Sequence, residues 1–79
     1  MSPTVHREGP YRFFFFSREE ARSHVHVVSG DGEAKFWLEP LTSLAEHTGL
    51  DTPQLRVIQA IVEGHRDEFI DAWHKHFGG

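Results

Sequence analysis

Two histidines one residue apart, His24 and His26, are the residues of this sequence whose type and spacing most favour chemistry. On a β-strand, residues i and i+2 point to the same side, with backbone positions about 7 Å apart. Lys35 shares that side in the hairpin described below. Such a set could cleave RNA without a metal: one histidine takes the proton of the ribose 2′-OH, a second group protonates the leaving oxygen, and Lys35 stabilises the phosphorane. We therefore predict His24, His26 and Lys35 as catalytic residues.

Residues in two other places are predicted to bind a ligand or partner. Trp37 could stack a base, Arg12 could help to stabilise the phosphorane, and Glu33 lies on the same side of the hairpin. Trp73 and Phe77, near the end of the last helix, form a second candidate surface, which would contact a protein.

A metal site is the alternative chemistry for the histidine pair. Zinc needs three or four protein ligands, and only Glu33 or a helical histidine could add one to His24 and His26. The histidines of the C-terminal half contain no pair spaced by four residues: His47, His65, His74 and His76. The sequence therefore predicts no metal site and no cofactor. A purely structural role, as cross-strand neighbours on a half-solvated face, accounts for the same pattern with fewer assumptions.

Two alternating runs around a turn predict the hairpin that carries these residues. Residues 24–28 and 33–38 flank Gly30-Asp31-Gly32, a pattern typical of a β-hairpin. With Gly30-Asp31 as the loop, His26 faces Lys35; with Asp31-Gly32 as the loop, His26 faces Trp37. Both registers put the same residues on each side: Val25, Val27, Ala34, Phe36 and Leu38 on one, and His24, His26, Glu33, Lys35 and Trp37 on the other.

The rest of the chain predicts two more strands and two helices. Residues 4–6 fit a short edge strand, and residues 11–16 fit a strand that is apolar on both faces. The polar stretch 17–23 is either one helical turn or a loop. Capping-box spacing predicts a short helix within 41–48, and apolar residues stepping by threes and fours predict a long helix over 52–77.

The predicted length of this last helix leaves two possibilities for its course, straight or bent. A straight helix over 52–77 would measure about 39 Å, whereas a domain of this size has a diameter of roughly 30 Å. Its end, with Trp73 and Phe77, would then overhang the sheet and contact a partner. A bend at Gly64 is the alternative.

These elements define an α+β fold. We predict a three- to four-stranded, mainly antiparallel sheet, followed by a short helix and a long C-terminal helix packed on it. The prediction is a single domain over residues 1–79, with a β-rich part over 1–40 and a helical part over 41–79.

Composition limits how such a domain is held together. Seventy-nine residues, 38% of them hydrophobic, build a small core, and chains of this size often need a disulfide, a metal or a partner. The chain has no cysteine, which favours a homodimer or a protein partner. No apolar run is long enough to cross a membrane, and the N-terminal residues lack a signal-peptide pattern, so a cytoplasmic location is expected.

Charge is unevenly distributed along the chain. The net charge of −4 argues against nucleic-acid binding over the whole surface. Residues 1–40 carry five Lys/Arg against six acids, and residues 41–79 carry three against six. The N-terminal half is therefore the better place for an anion.

Several segments taken together resemble the DUF4160 family of small prokaryotic proteins of uncharacterised function. They are Pro3-Thr4-Val5, Arg12-Phe13-Phe14-Phe15-Phe16-Ser17, His24-Val25-His26-Val27, residues 30–38, and Ala72-Trp73 with Phe77. Family members often have Pro-Pro-His-Val-His before the hairpin. This chain has Arg22-Ser23 in place of the two prolines. The resemblance implies a gene neighbour, commonly of the DUF2442 family, in an arrangement that looks like a toxin–antitoxin pair.

Three functions follow as hypotheses. The first is a protein-interaction component, the toxin-like member of a two-gene module, whose partner is a DUF2442-like protein or a second copy of the chain. The second is a metal-independent endoribonuclease that uses His24, His26 and Lys35. The third is a nucleic-acid-binding module without catalysis, in which Arg12, Arg18, Arg22 and Lys35 would contact RNA.

Overall fold

The computed structural model describes residues 4–16 and 21–78. Five strands come first, β1 (Thr4–Glu8), β2 (Tyr11–Phe14), β3 (His24–Val28), β4 (Glu33–Trp37) and β5 (Ser43–Thr48), and two helices follow, α1 (Thr52–Gly64) and α2 (Arg66–Phe77). Each strand pairs antiparallel with the next, in the order β1-β2-β3-β4-β5. The predicted α+β class is confirmed, and the sheet has five strands where three or four were expected. Residues 17–20, including Arg18 and most of the predicted turn, lie outside the described residues.

The hairpin of β3 and β4 adopts one of the two predicted registers. His26 pairs with Lys35 and His24 with Trp37, and the Ser29 backbone N–H donates to the Gly32 carbonyl at 2.9 Å. Gly30-Asp31 is therefore the two-residue loop.

One face of the sheet packs against both helices and forms the core. Val25, Val27 and Phe36 are fully or almost fully buried on this face. The cluster also contains Tyr11, Phe13, Phe15, Ala34, Leu38 and Leu50, together with Ile58 and Val62 of α1 and Phe69 and Trp73 of α2. The apolar side that alternation assigned to the hairpin is the side that the helices cover.

The prediction of a short helix within 41–48 is wrong, because this segment forms β5. Residues 43–48 pair with β4 along its free edge, with a register shift between Lys35 and Phe36. The edge of β4 would otherwise leave backbone N–H and C=O groups without partners, and this tertiary demand overrides the local capping signal. The β-rich part therefore extends to Thr48 rather than ending at residue 40.

The C-terminal helix bends where the sequence offered a bend. α1 ends at Gly64 and α2 begins at Arg66, and His65 between them has φ −115° and ψ 15°. Its backbone N–H is shared between the carbonyls of Ile61 and Val62 at 3.1 and 3.2 Å. The bend turns α2 back along the sheet, which buries Trp73 to 5% exposure. The prediction that the end of a straight helix overhangs the sheet is therefore wrong.

Asp51 caps α1, and Gln54 in the first turn connects this helix to the hairpin. The Asp51 carboxylate accepts from the Gln54 backbone N–H at 2.9 Å, and the Gln54 side chain accepts from the Asp51 backbone N–H at 3.0 Å. The Gln54 amide also donates to the Asp31 carboxylate at 2.7 Å.

Among the described helices, none combines the length and apolar character that crossing a membrane requires.

Close backbone packing between the β3–β4 turn and the end of β5 gives a stability prediction. A methyl group added at Gly32 would overlap the Thr48 carbonyl and the Gly49 backbone, whereas one added at Gly30 meets nothing within 4 Å. We expect Gly32→Ala to lower the free energy of unfolding by about 1–3 kcal/mol, because the backbones must separate. Gly30→Ala, the matched control, should stay within about 0.5 kcal/mol of wild type. Urea denaturation measures both, and equal effects would contradict the tight packing.

Candidate functional site

The face opposite the helices presents side chains in three rows that cross the strands. Directly paired residues of antiparallel strands point to the same side. The rows are Arg7, Arg12, Val28, Glu33 and Thr48; then Thr4, Phe14, His26, Lys35 and Glu46; then His24, Trp37 and Ser43. We call this surface the helix-free face, since α1 and α2 pack on the opposite side; α2 reaches it at one end, where the His24 ring lies 4.8 Å from that of Trp73. The middle row crosses all five strands, a span of about 19 Å.

Aromatic rings stand close together in the centre of the helix-free face. The His26 ring stacks on Phe14 at 5.5 Å between centroids and lies 4.4 Å from Phe16. Phe16 follows β2 and is 43% exposed, a large exposed fraction for a phenylalanine. Its ring is therefore accessible to a ligand lying on the face.

Trp37 is held between two cations. The Arg22 guanidinium carbon lies 4.3 Å from the centre of the Trp37 ring, and Lys35 Nζ lies 4.5 Å from it. The Arg22 Nε–H also donates to the Glu39 carbonyl at 2.8 Å, which fixes the guanidinium over the ring. A third cation, Arg12, lies 4.7 Å from the Phe14 ring centre. Cation–π contacts of this kind keep the charges beside the aromatic surface.

His24 is in a different environment from His26. It is fully buried, and its Nδ1–H donates to the Arg22 carbonyl at 2.8 Å. Its ring lies 5.6 Å from Trp37 and 4.8 Å from Trp73, so it fills the space where the end of the sheet meets α2. It also contacts the His26 ring at 5.1 Å. In this position His24 supports the neighbouring rings rather than facing solvent.

A cleft of about 410 Å³ opens on the helix-free face. Its chemistry comes from Phe14, Phe16, His26, Lys35 and Glu46, and the ends of β3, β4 and β5 complete its wall. Lys35 and Glu46 are directly paired on neighbouring strands, and His26 stands on the other side of Lys35. The cleft thus combines an imidazole, an ammonium and a carboxylate with an aromatic wall.

The helix-free face is cationic although the chain is acidic. Among the described residues it carries four cations, Arg7, Arg12, Arg22 and Lys35, and two carboxylates, Glu33 and Glu46. The helices carry four acids, Glu63, Asp67, Glu68 and Asp71, against three cations, Arg56, Arg66 and Lys75. The helix-free face is therefore the more cationic side of the folded domain.

The structure brings together most of the predicted site and separates the rest. His26, Lys35, Arg12, Glu33 and Trp37 lie on the helix-free face, and the buried His24 adjoins it. The predicted helical surface lies on the other side of the sheet: Trp73 is buried against Phe15 and His24, and half-buried Phe77 packs on Trp73 at 4.1 Å.

Sequence reasoning missed three members of the face. Glu46 was assigned to a helix that does not form, and Arg7 lay beyond the predicted end of the first strand. Phe16 was treated as part of a core strand. Arg22 was predicted to contact RNA, but nothing in the sequence shows that it lies on Trp37.

An antiparallel meander with two helices on one face and an aromatic, cationic surface on the other defines a small α+β domain. The family model of a domain of unknown function, DUF4160, matches residues 11–74, and the chain belongs to this family. No curated protein matches the chain. No solved structure matches it either.

The position of His24 gives a second stability prediction. We expect His24→Ala to lower the free energy of unfolding by about 2–3 kcal/mol, because it removes a buried ring and leaves the Arg22 carbonyl without its donor. His24→Phe keeps a ring and should cost less. His47→Ala, at an exposed position of β5, is the control and should change stability by about 0.5 kcal/mol or less. Thermal and urea unfolding would contradict the buried role if His24→Ala matched His47→Ala.

Proposed function

We propose that this protein is the toxin-like member of a two-gene module and that its helix-free face binds single-stranded RNA. The observation that carries the proposal is the placement of aromatic rings and cations side by side on one face of the sheet: Phe16, His26 and Trp37 beside Arg12, Arg22 and Lys35. Unpaired bases stack on aromatic side chains, and the phosphates between them pair with Arg and Lys.

The shape of the face favours a single strand over a duplex. A sheet surface with protruding rings can receive two or three splayed bases, as on other sheet platforms that bind RNA. Stacking needs bases with free faces, which a base-paired helix does not offer. Phe16 and Trp37 would take bases, while Arg12 and Arg22 would take phosphates.

The distribution of charge also favours the helix-free face as the side that binds RNA. A polyanion is repelled by the acidic helices and attracted to the four cations of the helix-free face. This resolves the objection raised by the net charge of −4, because the local charge of a surface and not the total decides where an anion binds.

The protein partner belongs to the same proposal. The family resemblance implies a gene neighbour whose product would act as the antitoxin. We propose that this product covers the helix-free face and so competes with RNA. Co-purification with the neighbour's product, followed by RNA binding with and without it, tests the competition, since a complex that still binds RNA fully would place the partner elsewhere.

RNA binding is tested with a short labelled single-stranded RNA in a salt-titrated anisotropy assay. We expect Phe16→Ala to weaken binding roughly five- to hundredfold, because stacking one base contributes about 1–3 kcal/mol. Arg12→Gln should also weaken binding and reduce the slope against log salt by about 0.7, the change expected for one lost phosphate contact.

The controls are matched by residue type. Val57→Ala removes an exposed apolar side chain from α1, and Arg56→Gln removes an exposed cation from the same helix; neither should change the affinity. No binding by wild type at low salt, or equal losses in the control variants, would contradict the proposed face. A duplex bound as well as the single strand would contradict the stacking mode.

A ribonuclease is the second candidate, favoured by the alignment of His26, Lys35 and Glu46 along one row. The neutral His26 imidazole would take the proton of a ribose 2′-OH while the 2′-oxygen attacks the adjacent phosphorus. Lys35 would stabilise the charge that develops on the phosphorane and protonate the departing 5′-oxygen. The products would be a 2′,3′-cyclic phosphate and a 5′-hydroxyl. Buried His24 would orient His26 rather than touch the substrate.

Cleavage is tested separately from binding. We expect His26→Ala to lower the cleavage rate at least roughly a hundredfold, the contribution of a positioned acid–base group, while RNA affinity falls much less. His74→Ala, at an exposed position on α2 outside the cleft, is the control and should cleave like wild type. A substrate with 2′-deoxyribose at the cleaved position should be inert, and EDTA should have no effect. Binding without cleavage by wild type would remove this candidate and leave the binding proposal standing.

A further inference from the structure

Three potential metal ligands meet on the side of the sheet away from the helix-free face. His6 and Glu8 lie on β1, and His65 lies at the junction of α1 and α2. His6 Nε2 is 3.0 Å from Glu8 Oε1, and His65 Nε2 is 3.7 Å from the same oxygen. One ligand atom from each residue lies within 4.8 Å of the others. We propose that His6, Glu8 and His65 bind a zinc ion.

The distances suit one ion. Zinc binds histidine nitrogen and carboxylate oxygen at about 2.0–2.2 Å in a tetrahedral arrangement, so neighbouring ligand atoms lie about 3.4 Å apart. The separations of 3.0 and 3.7 Å bracket that value. The three ligand atoms all lie within 4.8 Å of one another, so rotations of the side chains would bring them to the ion.

A second carboxylate already orients His65. His65 Nδ1 lies 3.0 Å from Glu68 Oε1, and His65 Nε2 lies 3.7 Å from Glu8 Oε1. With zinc on Nε2, the Nδ1–H would donate to the Glu68 carboxylate. A carboxylate behind the ligating histidine is the usual support of zinc-bound imidazole.

The donor set selects the kind of metal. Two imidazoles and a carboxylate suit zinc and its neighbours in the transition series, whereas magnesium and calcium prefer oxygen ligands alone. The His6 and His65 side chains are 24% and 29% exposed and that of Glu8 is 50% exposed, so an ion can enter from solvent. Three protein ligands leave a fourth position for water or for a group from another molecule.

A metal here would join parts of the chain that are far apart in sequence. It would fasten the edge strand β1 to the helix junction, 59 positions from His6 to His65, in a small domain without cysteine. His6 packs at 5.6 Å from Phe13 and 6.0 Å from Phe69 between ring centroids, so the ion would close the core at this corner. The site is separate from the proposed RNA surface and does not depend on it.

The test uses zinc alone with chelator-treated protein. We expect isothermal titration to give one zinc per chain and thermal melting to show a rise in Tm of roughly 5–10 °C at saturating zinc, because the ion binds only the folded state. Magnesium at the same concentration should give no heat and no shift. Cobalt, as a spectroscopic probe, should show the visible absorption of a tetrahedral nitrogen and oxygen site.

Variants locate the ion. Glu8→Gln and His65→Gln should lower zinc affinity by roughly a hundredfold or more, since each removes a ligand, and Glu68→Gln should lower it about 10- to 100-fold by freeing the imidazole. His74→Gln, at an exposed position on α2, is the matched control and should bind like wild type. Glu8 is exposed, so its variant should fold whatever happens at His65. No zinc binding by wild type at micromolar concentration, or unchanged binding in Glu8→Gln, would overturn the proposal.

Discussion

In the described part of the chain, two short helices cover one face of a five-stranded sheet, and the rest of the structure depends on that constraint. The helices bury the apolar face of the sheet, which includes Val25, Val27 and Phe36. The bend at His65 keeps both α1 and α2 on this face, since a straight helix would leave the sheet after Gly64. The opposite face must therefore be made compatible with water or with a ligand by its own side chains.

The helix-free face meets this demand with aromatic rings and cations rather than with small polar groups. Trp37 beside Arg22 and Lys35 shows the principle: the two cations lie 4.3 and 4.5 Å from the ring centre, and Lys35 is itself buried to 7% exposure. An RNA base would have to take the place of one of these cations on the ring. The same contacts thus support the fold and provide the chemistry proposed for RNA.

Four of the seven histidines occupy three different environments in the fold. His24 is buried between two tryptophans, His26 lines the cleft, and His6 and His65 meet on the other side of the sheet with 4.2 Å between their rings. The pair with the clearest sequence spacing is therefore split between a buried and a half-buried position. The pair without any sequence signal lies close enough to Glu8 to be proposed as metal ligands.

The sequence by itself determined the hairpin, its two faces and the amphipathic character of the C-terminal half, because alternation and helical periodicity are local properties. It could not determine β5, since a strand at a free edge is selected by the backbone groups of β4 and not by its own residues. Nor could it place Arg22 on Trp37, Glu46 beside Lys35, or His65 next to His6 and Glu8. These contacts join residues that are distant along the chain, and only the pairing of the strands and the packing of the helices on the sheet bring them within reach.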